Sequence, residues 1–371
     1  MNTLPCAASQ PANRRVLATL KDGYWDRTEV IELPDGSRRV RKQSKGAAFG
    51  PWGVRSLRRE IRYLTSLPEN VRSLFPPVLA AWEGKSSDEA QAGYEMPFYP
   101  DHEDAGKPAK RGELTQREID AFQDVLSEAV LERLHEPMEA EESLAAHMTS
   151  VVEEAWAELE KDSALAALIH AESIDLNGEP VRGPRAAFEC IRRNTEVLAS
   201  LDAAPSVRLH GDFFLENILW RRHEGAPAEN VPRLILIDPV SVAGVMCGPP
   251  VFDLVKYVSY ATGELPALRS EWLEAGGTTS GYHYRIRWED AGLQPFLTLD
   301  WHSRFQRAFE AQHGLVDRRH YQLIDGYFSA AMAVNTSGLQ RLARLLKATC
   351  EFNAVLSPAE RSPGPEYGDG M

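Results

Sequence analysis

The sequence predicts an α+β protein of two lobes: a small antiparallel sheet with one helix at the N-terminus, then a larger, mostly helical lobe. Three observations carry this. Between residues 16 and 99 the apolar runs are short and bounded by turn residues, as in strands. From Leu114 onward apolar residues recur at helical spacing over long stretches. Two short apolar runs, at 217–220 and 234–237, interrupt that helical part and read as buried strands.

In chain order, Thr28-Glu29-Val30-Ile31-Glu32-Leu33 leads into Pro34-Asp35-Gly36-Ser37, a turn by its residue types, and Arg38 to Gln43 returns as the second arm of a hairpin. A helix follows at about 54–67. Val54, Leu57, Ile61 and Leu64 form its apolar stripe, Arg55, Arg58, Arg59 and Arg62 the opposite face, and Glu60 flanks the stripe. After Pro68, strands are expected at 78–82 and 93–99, with the polar segment 83–92 as their turn. Helices are expected over 114–136, 141–160, 184–201, 250–262, 301–312, 318–334 and 338–355, with a short extended piece at 174–181. A polar loop containing Pro227 and Pro232 separates the two later strands, and no internal repeat is visible. The boundaries that follow are an N-terminal lobe over 1–95, a hinge at 96–100 and a helical lobe over 101–356. The tail 357–371, rich in Pro, Gly, Ser and Glu, reads as disordered.

With 371 residues the chain can bury a large core. No apolar run reaches membrane-spanning length, and the start, Met1 to Arg15, lacks the apolar centre of a secretory signal. The four cysteines, Cys6, Cys190, Cys247 and Cys350, form no CxxC pair, which speaks against structural zinc and a disulfide framework and for a cytoplasmic setting. The net charge of −13 is uneven: residues 1–95 carry 15 Lys and Arg against 11 Asp and Glu. A basic N-terminal part suits a polyanionic nucleotide. The acidic remainder argues against nucleic acid and is compatible with a cationic substrate, although a solvated acidic surface explains it equally well.

The chemistry is concentrated in Leu209-His210-Gly211-Asp212-Phe213-Phe214-Leu215-Glu216-Asn217 and in the run Leu234-Ile235-Leu236-Ile237 that ends in Asp238. An Asp, an Asn five positions later and a second Asp at the exit of a buried strand are the polar set of a Mg2+-dependent phosphoryl transferase. Asp212 would accept the proton of an attacking hydroxyl. Asn217 and Asp238 would present a neutral and an anionic oxygen to the metal. Gly211 would permit a backbone shape or close approach that a side chain forbids, and His210 is read as a structural residue holding the loop. Taken singly, Asp212 could be a turn former, Asn217 a cap and Asp238 a strand end; their joint spacing carries the assignment.

This signature, His-Gly-Asp-x-x-x-x-Asn followed by an apolar strand ending in Ile-Asp, resembles the aminoglycoside phosphotransferase and choline kinase superfamily. The resemblance spans about residues 20–262 and is tightest over 207–257. It implies a bilobal protein-kinase-like fold and direct, in-line phosphorylation of a small-molecule hydroxyl with ATP or GTP and Mg2+. Gly248-Pro249-Pro250-Val251-Phe252-Asp253-Leu254 is similar to the family's Gly-x-Pro-x-x-Asp-Leu stretch, which implies that Asp253 buttresses the catalytic loop. The resemblance also calls for a phosphate-binding lysine on the N-terminal sheet. Strand alternation puts Val40 and Lys42 on one face and Arg39 and Arg41 on the other, so Val40 would cover the adenine and Lys42 reach the phosphates, with Lys45 and Arg41 as rivals. Glu60, the sole acidic residue of the expected helix, would hold Lys42 through an ion pair, or else pair on the surface with Arg59 or Arg62. In the hinge, the Pro97 carbonyl and the Tyr99 N–H would read the adenine, with Met96 packing behind; the plain alternative is a strand end. Lys21-Asp22-Gly23-Tyr24-Trp25-Asp26-Arg27 stands where a glycine-rich loop would, but it is no GxGxxG, and no phosphate contacts are assigned to it.

The expected partners are a nucleotide and a small hydroxyl acceptor such as an aminoglycoside, aminocyclitol, sugar or similar alcohol. Asp101, Glu103, Asp104 and Glu216 could rim an amine-bearing substrate, and the stretch Tyr282 to Trp288 could stack on a sugar or bind an anion; ordinary surface or core is the commoner fate of both. A protein kinase is disfavoured, since His-Arg-Asp is replaced by His210-Gly211-Asp212 and no Asp-Phe-Gly and Ala-Pro-Glu pair frames an activation loop. A catalytically silent nucleotide-binding scaffold is the other alternative, against which Lys42, Asp212, Asn217 and Asp238 all stand. No oligomeric state follows from the sequence.

Overall fold

The computed structural model describes residues 14–23, 26–45, 52–83, 92–140, 142–222, 232–240, 245–278 and 281–356. The chain forms two compact units. The first comprises Met1–Met138, Val207–Cys247 and Thr298–Ala308; the second comprises Glu139–Ser206, Gly248–Leu297 and Phe309–Met371. The α+β expectation holds, with an antiparallel sheet at the N-terminus and a mostly helical C-terminal part.

The first unit opens with β1 (Arg15–Asp22), β2 (Asp26–Glu32), β3 (Arg38–Ser44), helix α1 (Trp52–Ser66), β4 (Ala80–Glu83) and β5 (Ala92–Pro97). The strands form one sheet in the order β1-β2-β3-β5-β4, antiparallel throughout. The expected hairpin joins β2 to β3. Gly36 takes a φ of +81°, and the Asp35 carboxylate accepts from the Ser37 N–H at 2.9 Å, so the turn residues supply both the left-handed position and the local bond.

Alternation sorts the sheet's charges onto two faces. On one, Arg41 stands opposite Glu29 and Glu95 in the ladder, and its Nη2 donates to Glu29 Oε2 at 2.6 Å. Glu95 is fully buried and is held by Arg14 at 2.9 Å and Arg39 at 3.0 Å, without which a buried carboxylate would be costly. On the other face, Thr28, Lys42 and Tyr94 form one cross-strand row beneath α1.

The buried stripe of α1 differs from the expected one. Val54, Leu57, Glu60, Tyr63 and Leu64 are buried, whereas Ile61 is only partly so. Steps of three residues carry the contact line from Leu57 through Glu60 to Tyr63. Glu60 could not have been placed there by hydrophobicity, because its burial depends on a partner from β3.

Further along the first unit, the helix Gln116–Ser127 starts in a capping box between Thr115 and Glu118 and continues as a π-helical segment, Glu128–Leu134. Its buried residues Ile119, Phe122, Leu126, Val130 and Leu134 keep helical spacing across the change, which is why the pattern read as one helix. Ile218–Trp220, Leu234–Leu236 and Glu103–Asp104 form a small sheet with Ile218–Trp220 in the middle.

The second unit is built on the packed pair Arg318–Ala333 and Gly338–Leu356. The helix expected over 184–201 is two, Pro184–Arg193 and Thr195–Ala203, broken at Asn194 (φ −86°, ψ 83°). The extended piece at 174–181 is a hairpin, Ser173–Leu176 with Glu179–Arg182, around Asn177 and Gly178, both at positive φ. That Asn-Gly pair is a strong hairpin signal which the sequence reading passed over. A second hairpin, Leu273–Thr278 with Gly281–Ile286, was also missed, because Gly276 and Gly277 depress its strand propensity.

Among the described residues no helix is long and apolar enough to cross a membrane. The tail 357–371, most of the turn 83–92, most of the start Met1 to Arg15 and the part of the polar loop containing Pro227 lie outside the described residues.

Candidate active site

The loop after Val207–Arg208 is shaped by two residues with opposite constraints. Gly211 has φ +79°, and a Cβ there would stand 2.7 Å from the Val245 carbonyl oxygen, so only glycine fits. His210 is fully buried and faces Phe75, with ring centroids 6.0 Å apart. Its Nε2 lies 3.0 Å from the Ile237 carbonyl oxygen, and its Nδ1 accepts from the Asp212 N–H at 3.3 Å. The Val240 N–H closes the connection by donating to the His210 carbonyl at 2.7 Å. His210 thus ties the loop carrying Asp212 to the segment carrying Asp238, as its structural assignment requires.

Asn217 ends a 3-10 turn, Leu215–Asn217, and the strand begins one residue later than expected, at Ile218. The Asn217 Nδ2 donates to the Asp212 carbonyl at 2.9 Å and to Asp212 Oδ2 at 3.2 Å. The five-residue interval therefore brings these two side chains together. Asp238 leaves its strand with φ +55°, and Val240 follows at +56°. Left-handed backbone at a residue before proline and at a β-branched residue is strained, and such strain gathers where a side chain must be aimed.

Asp238 meets the N-terminal sheet. Lys42 Nζ is 2.9 Å from Asp238 Oδ1 and 3.0 and 2.9 Å from the two oxygens of Glu60. The rivals of Lys42 lie elsewhere: Arg41 pairs with Glu29 on the opposite face, and Lys45 pairs with Asp22 at 2.7 Å. The ion pair expected between Glu60 and Lys42 is present, and Glu60 does not turn outward to Arg59 or Arg62.

Three neighbours escaped the sequence reading. Tyr94 donates to Glu60 Oε1 at 2.7 Å, Asp26 Oδ2 lies 3.7 Å from Lys42, and Lys21 Nζ lies 3.1 Å from Asp238 Oδ2. Tyr94 faces Lys42 in the ladder, a pairing of β3 with β5 that no local stretch of sequence sets. Lys21 and Asp26 lie in the segment 21–27 that stands where a glycine-rich loop would, but nothing in that segment aims Lys21 at Asp238 or Asp26 at Lys42.

The electrostatics follow from this packing. Burial pushes the Glu60 carboxyl up to about 7, although Lys42 pulls the other way. Burial acts on Asp238 in the same sense, but Lys42 and Lys21 outweigh it and hold that carboxyl well below the usual range. Burial would lower Lys42; Asp238, Glu60 and Asp26 together keep its ammonium well above its ordinary value. The group is one buried cation surrounded by carboxylates, with a second cation at the rim.

The donor atoms fit a hard divalent cation. With Nδ2 committed to Asp212, Asn217 offers its amide oxygen, and Asp238 offers carboxylate oxygen, the ligand type Mg2+ shares with phosphate and water. Among the described residues no group of three or more His, Cys, Asp or Glu could hold a metal by itself. The donor set therefore suits a cation shared with a polyphosphate rather than an all-protein cage.

In the expected hinge, Val40 and Met96 face each other across β3 and β5, and both are buried. Pro97 pairs with Arg39 at the strand end. The Tyr99 carbonyl accepts from the His102 N–H at 3.2 Å, while the Tyr99 N–H has no partner among the described residues. Asp253 is fully buried in the helix Val251–Ala261 of the second unit. The acidic rim is largely neutralised: Glu103 pairs with Arg111, Asp104 with Lys107 and Glu216 with Lys110. In the stretch Tyr282 to Trp288, Arg285 pairs with Glu274 and Glu289, and Arg287 with Asp290. These charged residues are thus ion-paired, while Tyr282 and Ile286 of the second cluster belong to the core.

The sequence matches the phosphotransferase enzyme family over residues 18–288. Among solved structures it is similar to a glucosamine kinase in complex with glucosamine, ADP and inorganic phosphate, at 16% identity over 95% of this chain and 96% of that one, with a TM-score of 0.39. It is also similar to a thermostable mutant of an aminoglycoside phosphotransferase in a ternary complex with ADP and hygromycin B (14% identity, 90% and 94% covered, TM-score 0.39). A third similar structure is an aminoglycoside phosphotransferase from Alicyclobacillus acidocaldarius (12% identity, 92% and 90% covered, TM-score 0.37). No curated protein matches.

Proposed function

We propose, for a chain that belongs to the phosphotransferase enzyme family, that it transfers the γ-phosphate of ATP, or of GTP, directly to a hydroxyl group of a small molecule. The acceptor class is an aminoglycoside, aminocyclitol, sugar or similar alcohol. The lobes at 1–95 and 101–356 and the hinge at 96–100 belong to the same proposal.

The observation that carries it is the junction at Asp238, where the carboxylate meets Lys42 and Lys42 meets Glu60 within one buried group. A lysine held by a glutamate and directed at an acidic metal ligand is the arrangement that grips a nucleotide triphosphate. Asp212 has the role of base. Its Oδ2 is held by Asn217, which orients the carboxylate toward an acceptor hydroxyl and away from free rotation. Asn217 and Asp238 would hold Mg2+, which when bound neutralises charge developing on the transferred phosphoryl group. Lys42 binds the phosphates, and Glu60 with Tyr94 fixes its position. Met96 and Val40 pack on the adenine, while the unengaged Tyr99 N–H and the Pro97 carbonyl satisfy its edge.

The test is Mg-ATP consumption by the purified protein against a panel of aminoglycosides, aminocyclitols, sugars, nucleosides and choline-like alcohols, with Asp212→Ala beside it. Turnover with one class that disappears in the variant supports the proposal. Tight ATP binding without turnover on any class would move it to a nucleotide-binding scaffold.

A further inference from the structure

We infer that Lys21, at the end of β1, is a second phosphate-binding lysine: it rests on the Oδ2 oxygen of Asp238 and transfers to a nucleotide phosphate when the triphosphate binds. This rests on the kinase proposal above. It supplies a phosphate contact next to the segment 21–27, whose sequence is no GxGxxG.

Register places the two lysines together. Lys21 stands opposite Thr28 across β1 and β2, and Thr28 stands opposite Lys42 across β2 and β3. The lysines therefore occupy one cross-strand row on one face, two strands apart, or about 10 Å between backbones. They share one carboxylate, Lys42 on Oδ1 at 2.9 Å and Lys21 on Oδ2 at 3.1 Å.

Their freedom differs. Lys42 is buried and doubly anchored by Glu60. The Lys21 side chain is 54% exposed, and among the described residues Asp238 is its one hydrogen-bonding partner. A divalent cation at Asp238 and an ammonium on the same carboxylate repel each other, so metal binding favours release of Lys21. A triphosphate arriving with the metal presents anionic oxygens to the released ammonium. Lys42, held from behind by Glu60, has no equivalent freedom.

Calorimetric titration of ATP, ADP and adenosine, and of GTP and guanosine, with and without Mg2+, into wild type, Lys21→Gln and Lys21→Arg tests this. Lys21→Gln should weaken ATP binding about tenfold or more, as expected for loss of a charge-assisted hydrogen bond, and leave adenosine binding unchanged. Lys21→Arg should retain most of the ATP affinity. Thermal melts, which loss of the part-exposed Lys21–Asp238 pair should lower only modestly, check that the variants fold. Unchanged ATP affinity in Lys21→Gln, beside a wild type that prefers ATP to adenosine, would overturn the role of Lys21 and leave the kinase proposal standing. Equal loss for ATP and adenosine would overturn it as well, by showing a general disturbance. A wild type that prefers neither ATP to adenosine nor GTP to guanosine would remove the kinase proposal and this inference together.

Discussion

Lys42 and Asp238 are 196 residues apart in sequence, yet their Nζ and Oδ1 atoms lie 2.9 Å apart in the buried centre of the first unit. The contact joins a strand lysine held by the buried Glu60 to the aspartate at the exit of an apolar strand. Each side chain would be unfavourable without the other, since a buried charge is stable only when paired.

Lys42→Met should therefore damage both stability and function. It leaves Glu60 and Asp238 buried without their shared cation, a loss of about 3–5 kcal/mol by analogy with other broken buried pairs. Arg41→Met is the control: it should also destabilise, through Glu29, but leave the KM for ATP unchanged. Chemical denaturation and ATP kinetics on both variants check this. A normal ATP dependence in Lys42→Met would remove its phosphate-binding role.

Asp212→Asn should lower kcat by about 10²–10⁴ while nucleotide affinity stays close to wild type. Asn217 can still bond the amide at position 212, so folding should survive. Titration of nucleotide beside steady-state rates separates the two effects. Equal loss of both would recast Asp212 as a structural residue.

Asp238→Asn should abolish the Mg2+ dependence of nucleotide binding. It removes the anionic metal ligand and leaves Lys42 and Lys21 with a neutral partner. Titrations with and without Mg2+ that differ as in wild type would defeat the ligand assignment.

The titration of Glu60 gives a pH signature. Its carboxyl is pushed by burial from an ordinary value of 4.5 up to about 7. Between those values the folded chain holds more protons than the unfolded one, so this group makes stability fall as pH rises through the window. Asp238 has the opposite sign: its lowered value stabilises above the ordinary carboxylate range, and that contribution is lost as pH falls through and below it. Denaturation curves from pH 4.5 to 7.5 should show a shallower decline in Glu60→Gln than in wild type. Identical slopes would mean that Glu60 does not titrate there.

Gly211→Ala should cost more than about 1 kcal/mol, because φ is positive and the new methyl would meet the Val245 carbonyl. Its effect on rate should exceed its effect on nucleotide affinity, since the loop it distorts carries Asp212. Thermal melting together with kinetics would detect both; an unchanged melting temperature would show that the loop can relax.

Local chemistry was legible wherever a residue's role depends on its immediate neighbours in the chain. The β2–β3 turn was readable because Pro34, Asp35, Gly36 and Ser37 each favour it by their own backbone or side-chain preference. Strand alternation separated Lys42 from Arg41, and the register observed in the sheet agrees with it. The α1 stripe was misread at Ile61 for the opposite reason. A hydrophobic pattern assigns burial by side-chain polarity, and Glu60 is buried because β3 and Asp238 bring it a cation. The hairpin at Asn177-Gly178 was legible and overlooked, whereas the break at Asn194 left no clear mark in the apolar spacing.

By itself the sequence determined the α+β class, the N-terminal hairpin, most of the long helices and the spacing that joins Asp212 to Asn217. These rest on propensities, periodicity and short-range geometry, which the chain carries residue by residue. Only the tertiary structure decided that Glu60 turns inward, that Tyr94 and Asp26 join Lys42, and that Lys21 shares Asp238 across 217 residues of sequence. Those contacts depend on how a sheet, a helix and two loops meet, and on the requirement that charges removed from water find partners; neither is encoded in any local stretch.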